Sequence, residues 1–522
     1  MLNRKIRSII LVLVFSFLIF SFVKNNIEAE ENENSNHDIY RNLELISQVL
    51  SQLDKNYAEE INIDSLTEAA IEGVLDELDP HTVFFTKEEL EDFQSDTKGE
   101  FGGLGISIDK QDEYITVISP IEGTPAERAG ILPGDKIVKV NGKSIKGLPT
   151  EKVIDKMRGP RGTEITITIN RPGAEGNLDF TIIRDIIKID SIPYVYKMDN
   201  GLGYIKINKF NRHTAKDFNL ALDQLEEKGI RGLIIDLRYN PGGLLDQVIE
   251  TVNEFVGKGK KVVYTKGKNE RAEREYYTEI DRIRTGYPVV VMINHLSASA
   301  SEIFAGSMQD WDKGLVVGKT SFGKGSVQQV IPLVTGDGLK LTIAKYYIHS
   351  GRCINKDQDK EDKENKEKKV YYTDNNRKVY GGGGITPDIA IEQNKLSETE
   401  LKLRNKNLIF KYALEEYKPK NGDEISLDLE IDDKIFNDFV SYLNDQELKI
   451  KPEKLDSLKS RIKTRLKAEI IGSEFGKMEK HKIISELDHQ LQETINIFNK
   501  CQTLEEMFKY AKEIRKNEKE QN

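Results

Sequence analysis

The spacing of apolar residues changes several times along this chain, and each change marks a different kind of element. An apolar run from Ile9 to Val23, broken only by Ser16 and Ser21, follows Arg4, Lys5 and Arg7. Positive residues before a short apolar run form the pattern of an export signal. At 15 residues the run is short for a full membrane span. No Ala-x-Ala site follows it, so both a cleaved signal peptide and a retained signal anchor remain open, and either leaves the rest of the chain exported. Residues 28–37 are polar and acidic and read as a linker. The period then becomes helical: Leu43, Ile46, Leu50 and Leu53 share one face, and Leu66, Ala69, Ala70 and Val74 share another. Thr86 with Glu89 makes a capping box that opens a short helix through Phe93.

From about Gly99 to Arg184 the period falls to two. ITVISPI, KIVKVNG and TEITITI read as short strands between glycine turns, and Gly123 to Gly142 reads as a short helix, a turn and a strand. Beyond Asp185, strands alternate with helices. Gly203 to Phe210 is strand-like, Ala215 to Lys228 is an amphipathic helix, and Gly232 to Leu237 and Val289 to Ile293 are nearly continuous apolar strands. Strands of that kind belong in a sheet covered on both faces, and the alternation predicts an α/β layer. Asp357 to Lys369 is almost wholly charged and reads as a solvated insertion. From Leu396 to Asn522 the period is helical again, with Leu401, Leu408, Tyr412, Ile462, Leu466 and Ile470 as core-facing positions and a frayed end of about ten residues. The expected organisation is a signal peptide or anchor over 1–27, an N-terminal helical region over 38–98, a β-rich module over 99–184, an α/β core over 185–395 with the insertion at 356–370, and a C-terminal helical region over 396–522.

A chain of 522 residues is too long for one hydrophobic core. At 38% hydrophobic and 31% charged residues the composition is globular. The net charge is −10, with basic residues dispersed among acids, which gives no nucleic-acid footprint. Cys353 and Cys501 are far apart and lack metal-ligand spacing, so neither a metal site nor a thiol nucleophile is expected, and a disulfide between them is disfavoured.

The candidate chemistry lies between Asp236 and Gln329. The run SASASE presents Ser297, Ser299 and Ser301, where serines alternating with alanines suit a close backbone approach better than core packing. Lys324 follows in FGKGSVQ, 25 residues after Ser299. A lysine held in a desolvated place can lose its proton and serve as the base for a serine nucleophile, with no histidine needed. A glycine pair in DLRYNPGGL precedes both motifs.

In this order, DLRYNPGGL, SASASE and FGKGSVQ resemble the motifs of the carboxyl-terminal processing, or tail-specific, serine peptidases, and the resemblance covers roughly Leu78 to Ile391. It extends to DPHTVFF, where His81 is read as a turn or cap residue, and to VYGGGGITPDI, which resembles the family's closing motif. The module at 99–184 resembles a PDZ domain, a β-rich and partly open barrel, and GGLGI at Gly102 to Ile106 resembles its carboxylate-binding loop. The resemblance implies a multidomain α/β-plus-PDZ chain with a crotonase-like catalytic core and no cofactor. It implies cleavage of proteins recognised by their C-termini, in a bacterial periplasm or cell envelope, with the inner membrane as the place of any anchor.

Among the three serines the resemblance selects Ser299 as nucleophile, with Ser297 left as a helix cap. Lys324 becomes the general base, and Gln328 resembles the residue that holds the lysine. Lys319, after the strand GLVVG, reads as exposed. The backbone N–H groups of Gly243 and Ala300 are expected to form the oxyanion hole, with Asp236 and Arg238 bracing the loop. In the PDZ module, Gly103, Leu104, Gly105 and Ile106 are expected to hold a terminal carboxylate while the peptide adds as a strand. The expected partners are proteins or peptides with free, apolar C-termini and a second copy of the chain. Arg158, near the end of the PDZ helix, is the candidate contact through which PDZ movement switches the site on. Two other classes compete: an inactive PDZ scaffold or chaperone, which has no reason to keep these motifs together, and a Ser-His-Asp enzyme. The latter would need His295, four residues before Ser299, to find an aspartate.

Overall fold

A computed structural model describes residues 38–521 apart from 112, 172–173, 282, 357–368, 418–423, 447 and 449. The export segment and most of the charged insertion lie outside the described residues. The chain divides into two compact units, the smaller holding the residues up to Phe84 together with Ile331–Leu333 and Gly338–Leu341.

Both helices expected in the smaller unit form, over residues 38–56 and Ile63–Asp76. The second starts where the Asn62 side chain accepts the Ser65 N–H at 3.1 Å, an N-cap that satisfies one of the helix's orphan donors. Their apolar positions stay open: Leu43 is 55% exposed and Val74 62%. His81 sits in a turn, its N–H accepted by Asp79.

In the larger unit the capping box of Thr86 and Glu89 is formed, and its helix runs over Lys87–Lys98, past Phe93, to the left-handed Gly99. The β-rich module follows as an antiparallel sheet in the order Ile106–Gln111, Tyr114–Pro120, Lys136–Val140, Glu164–Asn170, Asn177–Ile183, with Lys143–Ser144 on the third strand. Its alternating residues fill a core around Val117, Ile137, Val153 and Ile167. Ile106–Gln111 lies at the end of the strand order, so among the described residues one of its edges carries no strand.

The central sheet has six strands in the order Tyr194–Lys197, Leu202–Lys206, Gly232–Asp236, Val289–Ile293, Leu315–Gly318, Ile389–Ala390. The first pair is antiparallel and the others are parallel. Every residue of Gly232–Asp236 and Val289–Ile293 is buried, as the apolar runs require. One face is covered by helices that follow the strands directly, Thr214–Glu227, Leu245–Val256 and Ala300–Asp310. Phe218, Phe255 and Phe304 from these helices meet edge-to-face at 6.1–6.3 Å.

The opposite face is covered by the last two helices of the chain, His489–Lys500 and Leu504–Gln521. Leu491, Phe498 and Met507 pack there on Leu202, Ile234 and Val290. The expected C-terminal helical region therefore also supplies the sheet's second cover, and its last helix runs to Gln521, past the point where fraying was expected. Residues 403–470 hold a core of their own, in which Leu408, Tyr412, Ile462, Leu466 and Ile470 are buried as expected. Leu401 is not: it is 37% exposed, and Leu403, on the inward side of helix Glu398–Asn405 with Thr399 and Glu400, takes the core position. Cys353 and Cys501 are free and buried.

Candidate active site

The serine segment joins the buried strand Val289–Ile293 to the helix Ala300–Asp310, and Ser299 is the N-cap, with φ 53° and ψ −113°. A non-glycine residue held there costs on the order of 1–3 kcal/mol and persists only where its surroundings fix it. A sharp strand-to-helix turn of this kind is how α/β hydrolases present a nucleophile. The two flanking serines are fully buried. Ser297 Oγ donates to the Leu237 carbonyl and accepts the Asn294 N–H, both at 2.9 Å. Ser301 Oγ donates to the Asn240 carbonyl at 3.0 Å. Ser299 is partly exposed. The expectation that Ser297 caps the helix is therefore corrected: its hydroxyl stitches the serine turn to the loop after Gly232–Asp236.

That loop passes Ser299 at a distance only glycine allows. A Cβ on Gly242 would sit 2.8 Å from Ser299 Cβ and 2.9 Å from the Ala300 nitrogen, and one on Gly243 would sit 2.0 Å from the Phe210 carbonyl oxygen. Asn240 Oδ1 accepts the Gly242 N–H at 2.8 Å, and the Gly242 carbonyl accepts the Phe210 N–H at 2.9 Å. Among the described residues the N–H groups of Gly243 and Ala300 donate to no protein acceptor. Ala300 is the first residue of its helix, where such donors are orphaned and the helix dipole is positive.

Below the loop, Asp236 and Arg238 form a buried network. Asp236 accepts from Tyr204 Oη at 2.8 Å, Lys206 Nζ at 3.1 Å and Arg238 Nη2 at 2.7 Å. Arg238 also reaches Asp488 Oδ1 at 2.9 Å and Gln490 at 3.1 Å, both from the C-terminal helices. Burial alone would raise the Asp236 pKa, but the charges of Arg238 and Lys206 outweigh it and hold the carboxyl well below its ordinary range.

Lys324 lies in a turn between Gly318 and the strand Ser326–Pro332, and is partly buried. Its glycine neighbours explain the approach. A Cβ on Gly325 would meet the Asn355 nitrogen at 2.8 Å, and one on Gly323 would meet the Gly384 nitrogen at 3.1 Å. Asn355 Oδ1 accepts the Gly325 N–H at 3.1 Å, and Ser321 Oγ accepts the Ile385 N–H at 2.6 Å, so the closing motif VYGGGGITPDI supports the lysine turn. Gln328 Nε2 donates to Ser326 Oγ at 2.7 Å and Thr342 Oγ1 at 3.3 Å. Its amide oxygen is the atom able to accept from an ammonium. Lys319 forms a surface ion pair with Glu392. His295 is exposed, while His349 and His481 stack on Trp311 and Tyr194.

Two residues missed by the sequence reading complete the site. Glu302, fully buried, accepts the N–H groups of Ser299 at 2.9 Å and Lys324 at 2.8 Å on the same oxygen. Its other oxygen accepts from the Gly323 N–H and the Ser321 hydroxyl. Burial raises its pKa, and the four donors oppose that rise. Tyr346, buried beside it, donates its hydroxyl toward the carbonyls of both Ser299 and Lys324. Glu302 was legible as the third residue after the N-cap Ser299, a capping-box position. Tyr346 lies in a long strand, Gly338–Ile348, and carries no local signal.

In the β-rich module, Gly103, Leu104, Gly105 and Ile106 link the strand Glu100–Gly103 to the edge strand. Their carbonyls are tied backwards: Leu104 accepts the Ala126 N–H at 2.9 Å and Gly105 the Ile121 N–H at 2.8 Å. Gly105 is left-handed at φ 80°, and its Cβ would lie 2.3 Å from Thr124 Cβ. Arg158 ends the helix Thr150–Met157, lies 5.0 Å over the Phe101 ring and pairs with Asp92 on the helix Lys87–Lys98.

Residues 201–364 match the model of peptidase family S41, 116–171 that of a PDZ domain, 16–89 that of an activating protease CtpB N-terminal domain, and 401–476 that of a family of unknown function. A carboxy-terminal-processing protease of Bartonella bacilliformis is 38% identical over 364 residues, covering 69% of this chain and 77% of its own length. The carboxy-terminal processing protease CtpA of Bacillus subtilis is 37% identical over 312 residues, covering 60% of this chain and 66% of its own. A solved photosystem II D1 C-terminal processing protease aligns over 67% of this chain and 92% of its own at 25% identity, with a TM-score of 0.36.

Proposed function

The chain belongs to peptidase family S41, as a serine-type carboxy-terminal processing protease with a PDZ domain, and on that premise we propose a Ser-Lys mechanism. Ser299 Oγ attacks the scissile carbonyl while the neutral Lys324 amine takes its proton. The oxyanion that forms accepts from the N–H groups of Gly243 and Ala300. The Lys324 ammonium then protonates the leaving amine, and the regenerated amine activates a water that releases the acyl group from Ser299. Gln328 orients the lysine through its amide oxygen. The observation that carries this reading is the single Glu302 oxygen that holds the backbones of Ser299 and Lys324 together.

Substrates are proteins with free, apolar C-termini. The carboxylate binds at Gly103 to Ile106, and the tail pairs with the vacant edge of Ile106–Gln111. Arg158, between Asp92 and Phe101, is the contact whose rearrangement couples tail binding to the site. The N-terminal Arg/Lys and apolar run support export to the cell envelope as a cleaved or anchored enzyme. The open apolar stripe of residues 38–56 supports self-association.

The test is cleavage of an unfolded protein with an apolar C-terminus by the full chain, beside Ser299→Ala and Lys324→Ala, with an amidated substrate in parallel. Wild-type cleavage lost in both variants, and weakened by amidation, is the expected result. Tail binding without cleavage in all three proteins would favour the PDZ scaffold instead.

A further inference from the structure

The same two side chains touch both ends of the Ser299 residue and both ends of the Lys324 residue. Glu302 Oε2 accepts both N–H groups, at 2.9 and 2.8 Å, and Tyr346 Oη faces both carbonyls. The two segments also share one backbone bond, from the Phe322 N–H to the Ser297 carbonyl at 2.9 Å, but it holds neither Ser299 nor Lys324 itself: one segment is the entry to the helix Ala300–Asp310, the other a turn after Gly318. Glu302 and Tyr346 are both fully or nearly fully buried, so the contacts are shielded from water.

We propose that Glu302 and Tyr346 form a clamp that sets the position of the lysine base against the serine nucleophile. They are positioning residues and contact no substrate. The inference rests on the Ser-Lys reading above. Three features follow from it. The strained Ser299 backbone is held at φ 53° because its N–H is taken by Glu302. The next N–H, that of Ala300, is left for the oxyanion. A bare carboxylate near the lysine would favour the charged ammonium. Here Ser321, Gly323, Ser299 and Lys324 supply four donors to the carboxylate, which disperses its charge before it can hold the base protonated.

The experiment measures kcat, KM and the pH dependence of kcat/KM for wild type, Glu302→Gln, Tyr346→Phe and the double variant. Ser299→Ala and Glu254→Gln serve as controls. Glu254 is a buried carboxylate of the same unit, paired with Arg284 through a 2.8 Å contact, and has no part in the site. A Gln at 302 turns an NH₂ toward groups that are themselves donors, so its clamp cannot close. Displacement of reacting groups by about an ångström costs about 100-fold in rate. The expected result is a kcat loss of about that size in Glu302→Gln and a smaller loss in Tyr346→Phe. KM should change less than about threefold, the pKa of the ascending, acid-side limb of the profile should move, and the double variant should be no worse than the sum of the two. Glu254→Gln should lower Tm while kcat per folded molecule and the pH profile stay those of wild type. A folded Glu302→Gln with wild-type kcat and pH profile overturns the clamp, as does a loss that tracks only Tm. If Ser299→Ala itself still cleaves, the failure lies with the Ser-Lys reading and not with the clamp.

Discussion

Two loops meet at Ser299, and they are anchored in opposite ways. The loop from Asp236 to Leu244, which carries Gly243, rests on charge: Arg238 is locked between Asp236 and Asp488, the latter 250 residues away in sequence. The lysine turn rests on hydrogen bonds and on glycines packed against backbone: Gly325 on Asn355, Gly323 on Gly384, and the backbone of Lys324 on Glu302. The difference follows from what each must leave free. The first loop offers only N–H donors, so full charges beneath it do no harm. On the proposed Ser-Lys mechanism the second carries a lysine that works only when neutral, so a naked charge beside it would set its protonation. On that mechanism the ion pairs lie under the proposed oxyanion donors, and the proposed base rests on quenched or neutral supports.

The largest effect should come from the charged anchor. Arg238→Ala leaves Asp236 and Asp488 without their shared partner. Removing one member of a buried ion pair costs about 3–5 kcal/mol. A fall in denaturant midpoint of that size, with early loss of the helices His489–Lys500 and Leu504–Gln521 in hydrogen exchange, is the expected outcome. An unchanged midpoint would break the comparison at its strongest point. Gly242→Ala comes next. Its Cβ would meet Ser299 Cβ at 2.8 Å and the Ala300 nitrogen at 2.9 Å. A displaced oxyanion donor costs about 100- to 1000-fold in kcat, and peptide binding to the PDZ domain should be unchanged. Ser301→Ala removes one donor to the Asn240 carbonyl, which keeps the Ala298 N–H at 3.0 Å. A loss of about 1 kcal/mol, the ordinary worth of one hydrogen bond, is expected in thermal unfolding.

The smallest effect is a pH dependence on the charged side alone. Burial holds His481 at about 4 against an ordinary 6.5, while Asp236 and Asp488 pull it up and Lys206 and Arg238 push it down. Native His481 is therefore neutral where the unfolded chain takes up a proton. Its contribution to stability is complete above about 6.5 and falls as the pH drops from there to about 4. Tm measured across that window should fall less in His481→Phe than in wild type, since the variant keeps the stack on Tyr194 without the titrating group.

Much of the fold was legible because it is local. Val289–Ile293 appears within the bounds its apolar run sets, and the capping box at Thr86 and the amphipathic helix after Thr214 are formed. The cover on the second face of the central sheet was not legible. Leu491, Phe498 and Met507 read as one more helical stripe, and nothing in their spacing says that the surface they meet is Leu202, Ile234 and Val290. At the site, the serine run, the glycine pair and the lysine turn could be read from composition and order. The links between them could not. Glu302 contacts residues up to 22 positions away and Tyr346 a residue 47 positions away, through backbone atoms that every residue type shares. Ser297 and Ser299 carry the same cap-forming side chain, so sequence does not separate them, and only the turn geometry shows that Ser299 occupies the N-cap.

The central claim is that Ser299 is the nucleophile and that Lys324 makes it one. The most direct measurement is labelling of the full chain at neutral pH with a serine-reactive fluorophosphonate, with the adduct located by mass spectrometry. The account predicts one adduct, on Ser299, that is lost in Ser299→Ala and in Lys324→Ala and retained in Ser301→Ala. An adduct on Ser297 or Ser301 in the wild type, or undiminished labelling of Ser299 in Lys324→Ala, would contradict it.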